Sequence, residues 1–410
     1  MIVEDSLIIT EIERLLDPFQ RLAEHWAKYS QYAEEGRVEA WRAEHPQETF
    51  LRLRMPLIAS LHQHPIFGHT NDRFFGTKQL TLFPDHQVDN LLRFAAEQGA
   101  EAAVAWLHRV AAVETADLRF VAEVFGLGTH EQHTLRNSVT LMPLAELPPS
   151  ENARVAIAQY QTTPYETFSF VPFPPIGATL VETQVPGLQR SSRTLGHPIP
   201  EKMVNTIRAF TLVDRAAPAV GTSWIEFVNP DLARAELGRI WSGTSFEGAL
   251  WNPPPTEITA DALQWVDKYL QLQPEVRNSC DVAIERLNLA RRRQSPGNKA
   301  IEGAICLEAL LGDESTQELA YKLRLRAALL LASKLEERRE IVKAVNDFYT
   351  LRSKTVHGQI PRAKNMQRDV YRANRGLEIC AAALREIVQR NRKFVPQDWE
   401  LSGGVPPDGD

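Results

Sequence analysis

The longest regular pattern of apolar positions lies in the last third of the chain. Ile341, Val345 and Phe348 recur at intervals of four and three residues, and Arg352 takes the next position of the same stripe. This spacing predicts one face of an α-helix, with a charged residue where another apolar side chain is expected. A charge on a buried face is costly unless it is paired or lines a wet cleft, so Arg352 marks a candidate functional position.

The end of this helix is predicted from Gly358 and Pro361. Gly358 suits a left-handed C-cap, and a proline shortly after a C-cap cannot continue the helix. His357 therefore falls at the fraying end, five residues after Arg352, where an unbroken helix would turn the two side chains about 140° apart. A turn of the backbone here brings His357 back towards Arg352. The structural alternative is an arginine that snorkels at a helix end and a histidine that favours the negative end of the dipole.

Further helical patterns surround this one, and no strand pattern interrupts them. Gly312 is a stop signal, and Ser315–Glu318 is a capping box that opens the following helix. The expected helices are Ala260–Leu272, Val276–Arg293, Asn298–Leu311, the helix opened by the capping box, Glu336–His357 and Asn365–Asn391. Helices joined by short connections are typical of a helical bundle.

Four runs in this bundle carry a resemblance to a known family. They are Ala283–Asn288, Ala304–Leu311, Glu318–Ala327 and Tyr349–Gly358, the last of which contains the Arg-x4-His motif. In order, spacing and the Tyr-x-x-Arg-Ser-x-x-x-His-Gly ending, they resemble the Apea-like branch of the HEPN domain superfamily. The resemblance covers roughly residues 256–393.

The resemblance implies a metal-independent endoribonuclease that acts as a homodimer, in which each protomer contributes Arg352 and His357 to a composite cleft. It implies neither a metal nor another cofactor. Five further residues are candidates for supporting roles: Ser353, Tyr349, Lys354, Glu308 and Arg326. Glu308 and Arg326 fall on inward helix faces, where we expect them to pair. Family members recur in bacterial toxin and anti-phage defence systems.

These residue types suffice to cleave RNA when the ribose 2′-OH is the nucleophile. His357 takes a proton from the 2′-OH or gives one to the departing 5′-oxygen, and Arg352 grips the scissile phosphate. Ser353 orients the phosphate or its partner, while Tyr349 and Lys354 support the site or contact the RNA backbone. The expected products carry 2′,3′-cyclic phosphate and 5′-OH ends, and DNA is not a substrate.

Charge is divided unevenly along the chain. Residues 291–393 contain 22 lysines and arginines against 12 acidic residues, a net charge of +10, whereas residues 1–290 contain 24 against 36, a net charge of −12. A basic module within an acidic protein favours RNA as the partner, with tRNA and mRNA both open. The other interpretation is that Arg291–Arg293 and the helix of residues 362–393 are merely solvated faces.

The cysteines and the hydropathy indicate the compartment. Cys280, Cys306 and Cys380 fall on apolar helical positions without Cys-x-x-Cys spacing, which favours buried thiols in a reducing environment. Neither a signal-like N-terminus nor a run of 18 apolar residues occurs. We therefore expect a soluble cytoplasmic protein that has no membrane partner.

The first 255 residues predict a mixed α/β region, helical over residues 1–135 and rich in strands and loops over residues 136–251. Helices are expected at Ser6–Gly36, Asp85–Gln98, Ala100–Val113 and Ala116–Phe125, and strands at Ser138–Met142, Phe168–Val171, Thr179–Thr183 and Trp224–Val228. Asn252–Pro255 is the expected hinge, and residues 394–410 are expected to form a flexible tail. The predicted fold is thus an α+β N-terminal region followed by an all-α HEPN helical bundle.

The N-terminal region shows no catalytic signature. The segments His62–His69 and His130–His133 lack the spacing of metal ligands, and Arg190 and His197 lie in a loop sequence instead of on a helix. We therefore expect this acidic region to sense a phage- or stress-derived ligand and to restrain the nuclease.

Two alternatives stay open at this point. In the first, the bundle is a catalytically inactive module for dimerisation and nucleic-acid binding, and the N-terminal region carries the biological function. In the second, a partner nucleotidyltransferase modifies the Tyr349 region and silences a toxin. A neighbouring antitoxin gene would favour the second alternative.

Overall fold

A computed structural model describes most of the chain. The described residues are 4–35, 37, 39–40, 47–67, 73–75, 78–80, 84–162, 176–184, 186–187, 199–236, 255–313, 318–358 and 365–395. Several predicted features lie outside them: the strand Phe168–Val171, residues 252–254 of the hinge, Ser315 of the capping box, His69, Arg190, His197, Pro361 and residues 396–410. None of the helices in the described part is long and apolar enough to cross a bilayer.

The chain divides into two compact units, each assembled from segments that are distant in sequence. The first unit comprises residues 1–119, 181–197 and 225–240, and the second comprises residues 120–180, 198–224 and 241–410. The region predicted to form the helical bundle therefore belongs to the same unit as residues 120–180 and 198–224. The whole Arg-x4-His motif lies in this second unit.

Helices account for most of the described residues. In chain order they are α1 (Asp5–Ala27), α2 (Tyr29–Glu34), α3 (Gln47–Leu53), α4 (Met55–Gln63), α5 (Pro84–Gln98), α6 (Ala100–Ala111), α7 (Glu151–Thr162), α8 (Glu201–Ala209), α9 (Pro230–Arg234), α10 (Ala260–Leu270), α11 (Pro274–Arg292), α12 (Pro296–Leu311), α13 (Leu319–Leu331), α14 (Leu335–Val356) and α15 (Met366–Arg390). The predicted helix Ser6–Gly36 is confirmed in part, because α1 ends at Ala27 and α2 follows as a separate helix. In α1, Ile8, Ile12 and Leu15 are fully buried at helical spacing. The helices predicted at residues 85–98 and 100–113 are confirmed by α5 and α6.

The strands are short, apart from three that lie side by side in one sheet. They are β1 (Arg73–Phe75), β2 (Lys78–Leu80), β3 (Ala116–Phe125), β4 (Leu127–Gly128), β5 (His133–Thr134), β6 (Thr140–Pro143), β7 (Ile176–Gln184), β8 (Pro186–Gly187), β9 (Ala219–Phe227) and β10 (Thr256–Glu257). The main sheet has the order β5-β6-β7-β3-β9, and β6 pairs antiparallel with both β5 and β7. The strands predicted around residues 140, 180 and 225 are confirmed by β6, β7 and β9.

The helix predicted at Ala116–Phe125 is wrong, because this segment is β3. Every residue from Phe120 to Phe125 is buried, including the carboxylate-bearing Glu123. A strand that is buried on both faces shows no alternation of polar and apolar residues, and periodicity alone does not separate it from a buried helix. The strand-and-loop prediction for residues 136–251 also missed α7, α8 and α9.

The C-terminal helices form a bundle in which α12 packs against α11, α14 and α15. Phe348 of α14 is fully buried, and glycines of the two neighbouring helices face its ring. A Cβ atom on Gly303 would lie 2.6 Å from the ring, and one on Gly376 would lie 2.1 Å from it. Because these glycines have no side chain, α12 and α15 can pack closely against α14, the helix that carries the motif.

Arg291 attaches an earlier part of the chain to this bundle. It is buried in the last turn of α11 and donates to the carbonyl oxygens of Thr211 at 2.6 Å, Ala216 at 2.7 Å and Asp214 at 2.8 Å. One turn earlier, Asn288 donates to the hydroxyl of Thr211 at 3.1 Å. The bundle therefore depends on residues that precede the predicted boundary at residue 255.

Candidate functional site

The Arg-x4-His motif lies where α14 ends. The backbone N–H of His357 donates to the carbonyl of Ser353 at 3.0 Å, and His357 is the C-cap residue. Gly358 follows with a φ of +70°, the left-handed conformation that favours glycine. The predicted helix end is confirmed, and it leaves the His357 side chain exposed.

Arg352 sits at the predicted position next to the buried side chains of Val345 and Phe348. Its side chain is 38% exposed, and its Nη2 atom lies 3.8 Å from Oε1 of Glu308. Its Cζ atom lies 5.9 Å from the ring centroid of Tyr349. The Nε atom is buried and has no hydrogen-bond partner among the described residues. The ion pair is long, so the guanidinium keeps N–H groups that can bind another anion.

Tyr349 positions the carboxylate beneath Arg352. Its hydroxyl lies 3.2 Å from Oε1 of Glu308 and 3.3 Å from the carbonyl oxygen of Ala304. Burial first, and then the charge of Glu308, raises the pKa of Tyr349 well above its ordinary value. With two acceptors beside its hydroxyl, the phenol donates a hydrogen bond and holds the Glu308 carboxylate in place.

Arg326 has partners other than the expected Glu308. It is buried, and it donates to the carbonyl oxygen of Leu311 at 2.8 Å and to the carboxylate of Asp313 at 2.5 Å. The last carbonyls of a helix lack intrahelical donors, and a guanidinium can satisfy them. Arg326 thus connects α13 to the end of α12, while the carboxylate of Glu308 serves Tyr349 and Arg352.

Two further cations are exposed near the motif, Lys354 on α14 and Arg368 on α15. Arg372 of α15 forms an ion pair of 3.3 Å with Asp347 of α14, and Arg368 lies one turn earlier in α15, towards the end of the bundle that carries the motif. Neither Lys354 nor Arg368 has an acidic partner in the described part of the chain. The side chains that share this end of the bundle define the motif surface: Arg352, Ser353, Lys354, His357 and Arg368.

Comparisons with known proteins add no family to this description. No family model, no curated protein and no solved structure matches the chain. The resemblance to HEPN domains therefore stays a prediction that rests on the four sequence runs.

The Arg291–Arg293 cluster is not the simple basic face that the sequence indicated. Arg291 is enclosed by backbone carbonyls, and Nη2 of Arg293 donates to Oε1 of Glu302 at 2.8 Å. Arg286 donates to the other oxygen of that carboxylate at 3.1 Å, and Glu302 is buried. Arg291 and Arg293 therefore serve packing around α11 and α12, and neither the RNA-binding nor the solvated interpretation describes them.

Sequence reasoning missed a cluster in the first unit, formed by Asp5, His64 and His108. Nε2 of His64 lies 3.0 Å from Oδ1 of Asp5, and Nε2 of His108 lies 2.9 Å from Oδ2. Nδ1 of His64 accepts from the backbone N–H groups of Ile66 and Phe67 at 3.3 and 3.4 Å, which assigns its proton to Nε2. A nitrogen that donates to Asp5 cannot also bind a metal, so the cluster fits a hydrogen-bonded carboxylate better than a metal site.

This cluster predicts a pH dependence of stability. Burial lowers the pKa of His64 and outweighs the opposing effect of Asp5. In the unfolded chain His64 titrates near about 6.5, so below that pH the unfolded state takes up a proton that the folded state resists. We expect the free energy of unfolding to fall as the pH drops from about 6.5 towards the folded pKa. The free energy of unfolding, measured with urea between about pH 7.5 and 5.5, should depend less steeply on pH in His64→Gln than in the exposed control His130→Gln. Equal slopes would contradict this assignment.

Proposed function

We propose that the protein is a HEPN-type endoribonuclease that cleaves RNA without a metal, using Arg352 and His357 from two protomers in one composite site. The motif surface carries this proposal. A guanidinium that Glu308 holds only at 3.8 Å shares a helix end with an exposed imidazole. A guanidinium matches phosphate oxygens in charge and geometry, and an imidazole can accept and donate protons.

In the proposed reaction, the ribose 2′-OH attacks the adjacent phosphorus, and the bond to the 5′-oxygen breaks. Arg352 donates to the non-bridging phosphate oxygens and stabilises the charge that builds on them. His357 accepts the proton of the 2′-OH, and the partner subunit's His357 protonates the departing 5′-oxygen. The products are a 2′,3′-cyclic phosphate and a 5′-OH.

A dimer can bring together an Arg352 and a His357 that are apart within one protomer. Within one protomer, no contact joins the side chains of Arg352 and His357 among the described residues. Exposed apolar side chains flank the motif, with Val356 58%, Met366 41% and Val370 40% exposed. Neighbouring exposed apolar side chains are typical of a protein interface. An isologous dimer through these side chains would bring two motif surfaces together.

Cleavage by the purified full-length protein in EDTA tests the chemistry. We expect the rate to be unchanged by EDTA, because the nucleophile is the 2′-OH and a histidine moves the proton. An oligonucleotide with one 2′-deoxyribose at the scissile position should resist cleavage there, while the matched all-ribose oligonucleotide is cut. Cleavage at the deoxy position, or loss of activity in EDTA, would overturn the proposal.

Mixing variant protomers tests the composite site. Arg352→Ala and His357→Ala proteins should each be inactive alone. Heterodimers formed by co-refolding retain one arginine and one histidine in a shared cleft but lack the second imidazole, so we expect the mixture to cleave RNA faster than either variant and more slowly than the wild type. Analytical ultracentrifugation of the wild type supplies the control. An enzyme that is strictly monomeric and yet active would rule the dimer out.

One observation favours a second candidate function, a nucleic-acid-binding module without nuclease activity. Arg352 contacts both Glu308 and the ring of Tyr349, and such contacts can serve structure alone. RNA would then bind at Lys354 and Arg368 and be recovered intact. The cleavage assay in EDTA distinguishes the two candidates, because only the ribonuclease produces new RNA ends.

A further inference from the structure

The second unit contains a partly open cavity of about 840 Å³. Four basic side chains line it: Arg215 after α8, Arg291 at the end of α11, Lys299 in α12 and Arg385 in α15. A volume of this size is typical of pockets for small metabolites. None of the residues of the motif surface lines the cavity.

The charge of Arg291 is buried, and no carboxylate of the described residues forms an ion pair with it. The groups that it contacts are the backbone carbonyls of Thr211, Asp214 and Ala216. Burial lowers the pKa of Arg291 to about 10, and the neighbouring charge of Arg385 is the second cause. A buried cation without a counter-ion is costly, so an anion in the cavity would stabilise the folded chain.

Lys299 and Arg385 add donors to the same cavity. Lys299 is half-buried and has no acidic partner within the described ranges, and burial followed by the charge of Arg215 lowers its pKa. Arg385 donates from Nε to the carbonyl oxygen of Leu212 at 2.6 Å. Its terminal N–H groups have no acceptor among the described residues. Both side chains therefore keep hydrogen-bond donors for a ligand.

Three carboxylates also border the cavity, but they do not balance these charges. Asp214 and Glu257 are exposed. Glu378 lies 3.0 Å from Arg375, which is not in the lining, and 3.7 Å from Arg215. Four cationic side chains therefore line the cavity against three carboxylates, and one of these, Glu378, is shared with Arg375 outside the lining. The excess positive charge lies around Arg291, the most buried of the four cations.

We propose that this cavity binds a small phosphate-bearing metabolite. Lys299, Arg385 and Arg215 donate to the phosphate oxygens, and Arg291 supplies a fixed positive charge behind them. Guanidinium groups match phosphate in geometry as well as in charge. Asn374 provides a neutral polar group for the remainder of the ligand. The proposal is independent of ribonuclease activity, because the lining contains neither Arg352 nor His357.

Isothermal titration of the full-length protein at low salt tests this inference, with pyrophosphate and ADP as phosphate probes and malonate as a dianion without phosphate. We expect one saturable site per chain for a phosphate probe and none for malonate. Equal affinities for the two probes indicate recognition of phosphate alone, and tighter binding of ADP indicates a nucleotide. Lys299→Met should weaken binding about tenfold, because one charge-assisted hydrogen bond is lost. The matched control Lys343→Met, at an exposed lysine of α14, should leave it unchanged.

Several outcomes would overturn the inference. They are an absence of saturable binding by both phosphate probes, malonate binding that equals that of pyrophosphate, and an unchanged affinity in Lys299→Met. If a short RNA displaces the probes and its binding requires Lys299, the cavity is instead part of an RNA-binding surface. If circular dichroism shows that Lys299→Met does not fold, Arg215→Gln tests the same binding of phosphate. The Arg215 side chain is 81% exposed, so we expect this variant to fold.

Discussion

His357→Ala and Arg352→Gln should each lower the rate of RNA cleavage by at least about two orders of magnitude. In the proposed mechanism, the first variant lacks the group that carries the proton, and the second lacks the charge that grips the phosphate. Arg352 is half-buried and His357 is exposed, so we expect the free energy of unfolding to change by less than about 1 kcal/mol. Arg352→Lys keeps a positive charge but loses the planar fork, and its rate should fall between those of wild type and Arg352→Gln.

Matched controls separate this loss from a general effect of charge or histidine content. Arg339→Gln removes an exposed arginine from the same helix, and His130→Ala removes an exposed histidine elsewhere in the chain. Both controls should cleave a fluorogenic RNA at the wild-type rate. Cleavage that survives His357→Ala in a protein with unchanged circular dichroism would refute the proposed chemistry.

Arg291→Met should lower the free energy of unfolding of the second unit by about 3 kcal/mol or more, because it leaves buried carbonyls without their charged donor. The native guanidinium serves the carbonyls of Thr211, Asp214 and Ala216 at 2.6 to 2.8 Å. Methionine fills part of the space and donates to none of them. Urea unfolding measures the change.

The control for this second effect is Arg277→Met, on the same helix. Arg277 is only half-buried, and we expect a change within about 0.5 kcal/mol. Hydrogen exchange should also accelerate in residues 211–216 of Arg291→Met and not in the control. A loss of less than about 1 kcal/mol in Arg291→Met would show that the carbonyls are satisfied by water instead.

The helices near the motif could be predicted from the sequence, because their signals are local. The stripe of Ile341, Val345 and Phe348 and the cap at Gly358 predict α14 and its end within a residue. The side chains that surround Arg352 were only partly predicted. The helical runs placed Glu308 and Tyr349 near the site, but nothing local shows that Arg326 turns to the end of α12.

Hydrophobic periodicity is a local signal and does not predict contacts between segments that are distant in sequence. Strand β3 is buried on both faces from Phe120 to Phe125, so this half shows no alternation of buried and exposed positions. In the cluster of Asp5, His64 and His108, the two histidines lie 59 and 103 positions after Asp5, and no spacing rule marks such contacts. The carbonyls around Arg291 belong to a short 3-10 helix, Phe210–Leu212, and to the turn that follows it. Their use as acceptors depends on backbone geometry that residue types do not encode.

The link between Arg291 and residues 211–216 also changes how the proposed regulatory role of residues 1–255 is tested. A truncation at residue 255 removes the partners of Arg291. A loss of activity in the truncated protein would therefore result from unfolding as readily as from a loss of regulation. Regulation by a phage- or stress-derived ligand is therefore measured on the full chain, as a change in cleavage rate on addition of the ligand.

RNA-end sequencing in cells that express the wild type, His357→Ala or His130→Ala tests the central claim most directly. We expect new 2′,3′-cyclic phosphate and 5′-OH ends with the wild type and with His130→Ala, and none above background with His357→Ala. The same new ends in His357→Ala, or wild-type ends that carry 5′-phosphate and 3′-OH groups, would contradict the account.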